Sequence, residues 1–323
     1  MLLGAVSGLG RGIEAAVRLD RYLQRFEFDV AVLIDSPALN LRLAARIKAR
    51  GIPVLYYVAP QLWAWGAYRI HRVKRCVDQI AALLPFEETY FRERGVEATF
   101  VGHPLFDRLS NEPIDPAQVV ALRRGGQPII AIFPGSRRHE IVETFVGQLE
   151  VARAIADRHP AGRFLVSVAN EQVQGPVETL LRASGVSATT HAGQNGLLLS
   201  AADLALVTSG TMTLEVAVRG TPMIVMYNGS KWGYHVIGRW LIGTRYLSLV
   251  NILAGRELVP EFMPYYTSTA PIAEAAIALL SSDVRRAAMS RELKSLMAPL
   301  SQSEASDRVA ALLLDMTGLC HAP

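Results

Sequence analysis

Two glycine-bearing segments of this 323-residue chain carry the side chains that point most directly to chemistry. They are residues 133–140, FPGSRRHE, and residues 208–215, TSGTMTLE. Each follows a short apolar run typical of a buried parallel strand, and each precedes a helix-like pattern. A glycine permits a tight turn, and the start of the next helix offers free N–H groups and a positive dipole end. Such loops bind phosphate, so the repetition predicts one nucleotide diphosphate held at two points.

The polar side chains of these loops are the candidate ligands. Hydroxyl and guanidinium groups bind phosphoryl oxygens, and a carboxylate in the first turn of a helix can accept hydrogen bonds from ribose hydroxyls. The alternative is that the hydroxyls cap helices and the charged groups are solvated or complement the helix dipole. Neither loop has the Walker or dinucleotide spacing, which weakens kinase and dehydrogenase hypotheses. The candidates are Gly135, Ser136, Arg137, Glu140, Ser209, Gly210, Thr211 and Glu215.

Two residues are candidates for a general base. Asp35 ends the apolar run at residues 28–35, where a carboxylate can deprotonate a sugar hydroxyl. His103, between Gly102 and Pro104, is the rival candidate. The structural alternatives are ordinary turn chemistry for the Asp-Ser-Pro sequence and a hinge role for the histidine.

All four tryptophans lie in two basic segments. Aromatic side chains beside cations are typical of a membrane interface. An aromatic core behind a solvated basic face explains them equally well, and nucleic acid ranks lower because no recognisable binding module frames them. The candidates for membrane or acyl-chain contact are Trp63, Trp65, Arg69, Arg72, Trp232 and Trp240.

The elements that must position these residues alternate between strand-like and helix-like patterns, which predicts parallel sheets of the α/β class. In the second half, strands are expected near 128–133, 163–169, 186–191, 204–208 and 222–227. We expect two Rossmann-like, doubly wound domains facing one another across a cleft. The predicted divisions are a first domain over 1–112, a linker over 113–127, a second domain over 128–270 and a helical region over 271–323. That last region could pack on the first domain or form a homodimer interface.

Composition limits the class of protein. Half of the residues are hydrophobic and 19% are charged, as in a well-buried globular protein, and the net charge of +4 favours an anionic partner. Two cysteines are too few for a disulfide framework and favour a reducing cytoplasm. No apolar run approaches the ~20 residues that span a bilayer, so any membrane contact is expected to be peripheral.

In their order and spacing, seven motifs resemble those of the lipid-A-disaccharide synthase family, inverting glycosyltransferases of the two-domain GT-B type. They extend from about residue 30 to residue 262. The matching residues are IDSP at 34–37 with Asn40, YVAPQLWAW at 57–65, LPFE at 84–87, VGHP at 101–104, FPGSR at 133–137 with Glu140, SGT at 209–211 with TLE at 213–215, and NILAGRE at 251–257.

The resemblance implies transfer of 2,3-diacylglucosamine from its UDP derivative to 2,3-diacylglucosamine 1-phosphate, which forms a β-1,6 disaccharide and UDP. It adds Asn251 and Glu257 to the nucleotide side of the site, and it favours Asp35 over His103 as the base. It implies no metal ion, no cofactor and no nucleic acid partner. It also implies a cytoplasmic protein attached peripherally to the inner face of the cytoplasmic membrane.

The amino terminus departs from the family pattern, because a first strand with a Ser-Gly-Glu-Ala-Ser-Gly-Asp loop and a second βα unit are not found. At ~30 residues per βα unit, about 60 residues are expected to be missing. Their absence should expose apolar side chains of the neighbouring strands and remove part of the acceptor site. A misassigned start codon and a damaged remnant are the two explanations. Two functional alternatives are another GT-B UDP-sugar transferase or epimerase, and a non-catalytic protein that binds UDP or lipid.

Overall fold

The computed structural model describes residues 17–229, 244–301 and 304–318, and its elements alternate between strands and helices. The first ten elements after helix α1 (17–25) are β1 (Ala31–Ile34), α2 (Pro37–Lys48), β2 (Val54–Tyr57), α3 (Ile70–Cys76), β3 (Gln79–Ala82), α4 (Pro85–Arg92), β4 (Ala98–Phe100), α5 (Pro104–Ser110), α6 (Pro116–Arg123) and β5 (Ile129–Phe133). The next eight are α7 (Arg138–Glu140), α8 (Val146–Arg158), β6 (Arg163–Val168), α9 (Glu171–Ser184), β7 (Ala188–Ala192), α10 (Asn195–Ala201), β8 (Leu204–Val207) and α11 (Met212–Arg219). The last are β9 (Met223–Met226), α12 (Leu249–Ala254), β10 (Glu261–Phe262), α13 (Ala270–Leu280), α14 (Asp283–Met297) and α15 (Ala305–Thr317).

These elements form two compact units, each with its own parallel sheet. The first unit contains residues 17–107 and 304–318, and the second contains 108–229 and 244–301. The division falls inside α5, between Asp107 and Arg108. The described strands pair only in parallel, which confirms the predicted α/β fold class.

The first unit has a four-stranded sheet in the order β1-β2-β3-β4. Its central strands are buried because helices cover the sheet, and Val54, Tyr56 and Ile80 have no exposed surface. Strand β1 lies at the edge of the sheet, where Val32 and Ile34 are 38% and 57% exposed. Val32 and Ile34 share one face of β1, whereas Leu33 on the other face is 8% exposed, so among the described residues only one face of this strand is covered.

Helix α15 belongs to the first unit, although it lies near the carboxyl terminus of the chain. Val309 packs in a cluster with Leu55, Ala81 and Val101 of the sheet region. The carboxylate of Asp107 accepts hydrogen bonds from the N–H groups that start the helix, at 3.2 Å from the nitrogen of Ala305. Packing on the first domain is therefore observed for α15, the last helix of the predicted helical region.

The second unit has a six-stranded sheet in the order β7-β6-β5-β8-β9-β10. Counting from β5, this is the 3-2-1-4-5-6 order of a doubly wound fold. Strands β5, β8 and β9 are continuously apolar and fully buried, because helices cover both faces of the sheet. The five predicted strands of this half agree with β5 to β9 within three residues at each end, whereas the two-residue β10 was not predicted.

The observed division differs from the predicted one in the segment after α5. Residues 113–127 include α6. The side chain of Asp115 caps this helix by accepting a hydrogen bond from the Ala117 N–H at 2.8 Å. Helix α6 packs against α10 of the second unit. Arg123 reinforces this packing by donating to the carboxylate of Asp203 at 2.8 Å. The segment predicted as a linker is therefore part of the second unit, and the predicted helical region 271–323 is divided between the two units.

Across residues 17–229, 244–301 and 304–318, no helix combines the length and the hydrophobicity that a membrane span requires.

Candidate functional site

The two glycine loops lie side by side in the second unit. Strand β5 pairs in parallel with β8, and Phe133 is the register partner of Val207. The chain crosses from β5 in one direction along the sheet and from β8 in the other, so a crevice opens between their carboxyl ends. The loop at 133–140 and the loop at 208–215 both begin at that crevice. The structure thus brings together the two segments that the sequence identified separately.

A carboxylate of the chain itself occupies the N–H groups of the first loop. Glu140 Oε2 accepts hydrogen bonds from the backbone nitrogens of Ser136 and Arg137, at 3.0 and 3.2 Å. The guanidinium of Arg137 donates to Oε1 of the same carboxylate at 2.7 Å. Gly135 has φ 109°, and a Cβ at this position would lie 2.7 Å from Glu140 Oε2. The glycine therefore permits both the turn and the return of the Glu140 side chain, and the loop already binds an anion.

The second loop leaves more of its polar groups accessible. Gly210 has φ 119°, and its carbonyl oxygen accepts a hydrogen bond from the Thr213 hydroxyl at 2.8 Å. Thr213 is buried and helps to hold the turn, whereas Thr211 is exposed and Ser209 is half-buried. The hydroxyls of Ser209 and Thr211 are the accessible candidates for binding phosphoryl oxygens.

A buried glutamine fixes the spacing of the strands beneath the two loops. Gln148, on α8, is fully buried, and its Nε2 donates to the carbonyl oxygens of Phe133 and Leu206 at 3.2 and 3.3 Å. These carbonyls belong to the ends of β5 and β8. The side chain therefore links the two strands where their loops begin. A single glutamine in a helix carries no recognisable signal, so this side chain is not predictable from the sequence.

Glu215 lies in a pocket of about 240 Å³ within the second unit. The residue is 5% exposed, and burial raises the pKa of its carboxyl, while the nearby Arg108 lowers it. Arg108 Nη2 lies 3.2 Å from Glu215 Oε2, and Asn195 lines the same pocket. The lining residues are Arg108, Glu112, Val168, Ala169, Gly193, Asn195 and Glu215. A buried carboxylate in a pocket beside the two glycine loops can accept hydrogen bonds from a sugar diol.

Three polar residues that line this pocket are not among the candidates predicted from the sequence. Arg108 and Glu112 lie next to the predicted linker, and Glu112 forms an ion pair with Arg219 at 2.6 Å. Asn195 begins α10 directly after the end of β7, and its Oδ1 accepts a hydrogen bond from Ser167 at 2.7 Å. A polar residue at the carboxyl end of a predicted strand was the available signal for Asn195. Arg108 and Glu112 had none, because they reach the pocket only through tertiary packing.

The structure places Asn251 in a buried network. Its Oδ1 accepts hydrogen bonds from the nitrogens of Leu258 and Val259, at 2.8 and 3.0 Å. Its Nδ2 donates to the carbonyl of Val259 and to Glu261, at 2.9 and 2.8 Å. The amide is thus fully engaged with protein groups, which assigns Asn251 a structural role in this state. Glu257 is exposed.

Asp35 lies at the carboxyl end of β1, in the first unit, on an unusual backbone. Asp35 and Ser36 have φ angles of 50° and 45°, a left-handed backbone conformation that residues other than glycine rarely adopt. Hydrogen bonds fix this turn, because the Tyr56 hydroxyl and the Asn40 amide both donate to the Asp35 carbonyl at 2.7 Å. The residue itself is exposed. A strained turn therefore holds an accessible carboxylate, which is the arrangement a general base requires.

His103 has its acceptor nitrogen engaged. Its Nδ1 accepts a hydrogen bond from the Leu105 N–H at 3.1 Å, so the neutral ring carries its proton on Nε2. Burial lowers the pKa of His103, while Asp107 raises it. A neutral imidazole in this tautomer donates a hydrogen bond through Nε2 and has no free nitrogen with which to accept a proton. The geometry therefore favours Asp35 as the base candidate.

The tryptophans of the first basic segment have different environments. Trp63 is 9% exposed, donates to the Glu87 carboxylate at 2.9 Å and packs edge-on against Phe86. The predicted membrane contact of Trp63 is corrected to a core position, because its ring and its N–H are both engaged inside the unit. Trp65 is 48% exposed, and the Arg69 guanidinium lies 4.2 Å from the centre of its ring.

Arg72 is also exposed, so part of the segment presents aromatic and cationic groups together. The other two tryptophans, Trp232 and Trp240, lie outside the described residues.

Known proteins match the chain over nearly its whole length. A model of the lipid-A-disaccharide synthetase family matches residues 3–314. A lipid-A-disaccharide synthase of Syntrophus aciditrophicus is 36% identical over 310 residues, which cover 95% of this chain and 80% of that protein. The corresponding protein of Pseudomonas putida is 32% identical over 317 residues, which cover 97% of this chain and 84% of that protein.

Solved structures share the fold at low sequence identity. A UDP-GlcNAc 2-epimerase from Neisseria meningitidis superimposes with a TM-score of 0.59 and 15% identity, over 94% of this chain and 81% of that one. The trehalose-6-phosphate synthase OtsA gives a TM-score of 0.57 at 11% identity, over 93% of this chain and 75% of that one. These structures confirm the predicted GT-B fold class. On the family match and the identities to its members, this chain belongs to the lipid-A-disaccharide synthetase family.

Proposed function

We propose that this protein is a glycosyltransferase that forms the lipid A disaccharide. Family membership supports the class of reaction. The observation that carries the proposal to these residues is the convergence of both glycine loops and the Glu215 pocket at one edge of the second sheet. This edge offers groups for a diphosphate and for a sugar diol, which are the recognisable parts of a UDP-sugar.

The donor in this proposal is UDP-2,3-diacylglucosamine, and its nucleotide occupies the second unit. The diphosphate lies against Arg137 and the hydroxyls of Ser209 and Thr211. The Glu215 carboxylate accepts hydrogen bonds from the ribose hydroxyls. Charge-assisted hydrogen bonds from Arg137 and the loop balance the charge that develops on the departing UDP, so we propose a reaction without a metal ion.

The acceptor is 2,3-diacylglucosamine 1-phosphate, and Asp35 is the proposed base. The carboxylate removes the proton from the 6-hydroxyl as this oxygen attacks the anomeric carbon of the donor. The bond between the anomeric carbon and the UDP oxygen breaks, and UDP leaves with the electron pair. The attack from the opposite side gives the β-1,6 bond with inversion.

We further propose that the chain acts on the inner face of the cytoplasmic membrane. Both substrates carry acyl chains, and the exposed Trp65 with the half-buried Arg69 combines an apolar ring with a cation. Such a pair suits the boundary between lipid headgroups and acyl chains.

The test is to incubate the purified protein with both acylated substrates and to measure UDP and disaccharide. We expect both products in equal amounts, and we expect their formation to persist in EDTA. Omission of the acceptor controls for simple hydrolysis of the donor. An unacylated donor distinguishes the proposal from a general UDP-sugar transferase or epimerase. Absence of disaccharide while UDP still binds would leave a non-catalytic binding protein and would overturn the proposed reaction.

A further inference from the structure

Arg108 and Glu215 form an ion pair at the mouth of the nucleotide pocket. Arg108 Nη2 lies 3.2 Å from Glu215 Oε2, and the two side chains differ greatly in exposure, at 67% and 7%. The cation is thus the solvated partner, and the carboxylate is the buried one. Both residues line the same pocket of about 240 Å³.

The guanidinium of Arg108 lies beside the Glu215 carboxylate, where a bound sugar diol would also have to lie. Arg108 and ribose hydroxyls are both hydrogen-bond donors, and both must approach Glu215 from the pocket. Only 7% of the Glu215 side chain is exposed, so little of the carboxylate is accessible beside Arg108. A ribose that approaches from the pocket therefore competes with Arg108 for this carboxylate.

A displaced Arg108 has a better partner within reach once a diphosphate is bound. Thr211 precedes Glu215 by four residues on the loop and first turn of α11, which is about 6 Å along the helix axis. Arginine binds phosphate through two parallel hydrogen bonds and carries a long, flexible side chain. The other nearby cation, Arg219, is paired with Glu112 at 2.6 Å and is only 19% exposed. Arg108 is therefore the cation of this pocket that is free to change partners.

We propose that Arg108 exchanges Glu215 for the diphosphate when the nucleotide enters, and that this exchange makes the pocket select nucleoside diphosphates over nucleosides. The inference rests on the proposed UDP-sugar donor. A nucleoside breaks the ion pair and leaves Arg108 without a new partner. A nucleoside diphosphate breaks the same pair and supplies one.

If this exchange occurs, replacing Arg108 should change the affinities for uridine and for UDP in opposite directions. In Arg108→Gln, uridine should bind roughly 2- to 5-fold more tightly, because an exposed ion pair no longer competes with the ribose. UDP should bind about 10-fold more weakly, because a charge-assisted bond to phosphate is lost. Isothermal titration calorimetry of the whole chain with each probe measures both constants.

Two variants serve as controls. Arg256→Gln removes another exposed arginine of the second unit, which pairs with Glu292, and it should leave both constants unchanged. Arg108→Lys keeps the charge and should restore part of the UDP affinity. Far-ultraviolet circular dichroism verifies that each variant is folded.

Any other result would overturn the proposal that Arg108 changes partners. If both probes weaken, Arg108 only shapes the pocket, and if both tighten, it only competes with the ligand. Equal constants in wild type and variant would show that Arg108 does not contact either ligand. Failure of the wild-type protein to bind UDP would instead overturn the proposed donor itself, so the two proposals fail in distinguishable ways.

Discussion

The carboxyl ends of the two sheets hold their polar groups by different means. In the first unit, a strained backbone presents Asp35, and the neighbouring hydrogen bonds go to its carbonyl, which leaves the carboxylate accessible. In the second unit, the chain's own charges hold the site, since Glu140 occupies the loop N–H groups and Arg108 occupies Glu215. An accessible carboxylate suits proton transfer. In the second unit, a ligand has to replace these charged side chains of the chain itself.

This comparison predicts that replacement of Asp35 affects chemistry and not binding. Asp35→Asn should lower kcat by roughly 10²- to 10⁴-fold, the usual contribution of a general base. UDP affinity should not change, since the nucleotide groups belong to the other unit. Steady-state kinetics and UDP titration measure the two quantities. Asp29→Asn removes an exposed carboxylate of the same unit as a control. If His103→Gln lowers kcat more than Asp35→Asn does, the assignment of the base is reversed.

Glu215 gives the converse prediction. Glu215→Gln should weaken UDP binding by roughly 10- to 100-fold, because hydrogen bonds from ribose to a charged acceptor are lost. The value of kcat at saturating donor should change much less. Titration with UDP and kinetics at high donor concentration separate these effects. Glu274→Gln, an exposed position on α13, is the matched control. A loss confined to kcat would contradict the division of roles between the units.

Within the second unit, the two glycine loops differ in how closely other atoms pack around the glycine. Alanine at either Gly135 or Gly210 adopts an unfavourable positive φ, which costs about 1–3 kcal/mol of unfolding free energy. Gly135→Ala should cost more, because its Cβ would lie 2.7 Å from Glu140 Oε2. Around Gly210, none of the described atoms lies within 4 Å of such a Cβ. Urea denaturation measures both variants.

A double-mutant cycle tests the cause of that difference. Combining Gly135→Ala with Glu140→Ala should remove the extra cost, because the contacting carboxylate is absent. If Gly210→Ala proves equally destabilising, the return of Glu140 onto the loop does not constrain Gly135.

The smallest expected effect concerns Trp65, which packs against Arg69 in the first unit. Trp65→Ser should reduce binding to anionic vesicles by about 5-fold, which corresponds to roughly 1 kcal/mol. Vesicle co-sedimentation measures the bound fraction, and neutral vesicles show how much binding depends on charge. Val284→Ser serves as the control, because Val284 is a 79% exposed apolar residue of the second unit. Equal losses for the two variants would remove the basis for assigning membrane contact to Trp65.

The sequence predicted the glycine loops and five strands of the second unit because these depend on short-range patterns. Continuous apolar runs mark buried parallel strands, and glycine with hydroxyl or charged neighbours marks the turns between strands and helices. The same reasoning could not separate Trp63 from Trp65. Two residues apart, one fills the core beside Glu87 and the other contacts Arg69 at the surface. Both are tryptophans in the same short segment, so only the packing of their side chains distinguishes them.

By itself, the sequence determined the α/β class, the two loops, the family and Asp35 as the leading base candidate, because each of these depends on local residue order. The tertiary structure alone decided which distant residues meet. It placed Arg108 and Glu112 in the pocket of Glu215, Gln148 beneath both loops and α15 on the first sheet. It also directed the amide of Asn251 into a buried network. Such contacts join residues tens to hundreds of positions apart, and their free energy comes from burial and charge pairing that no local pattern records.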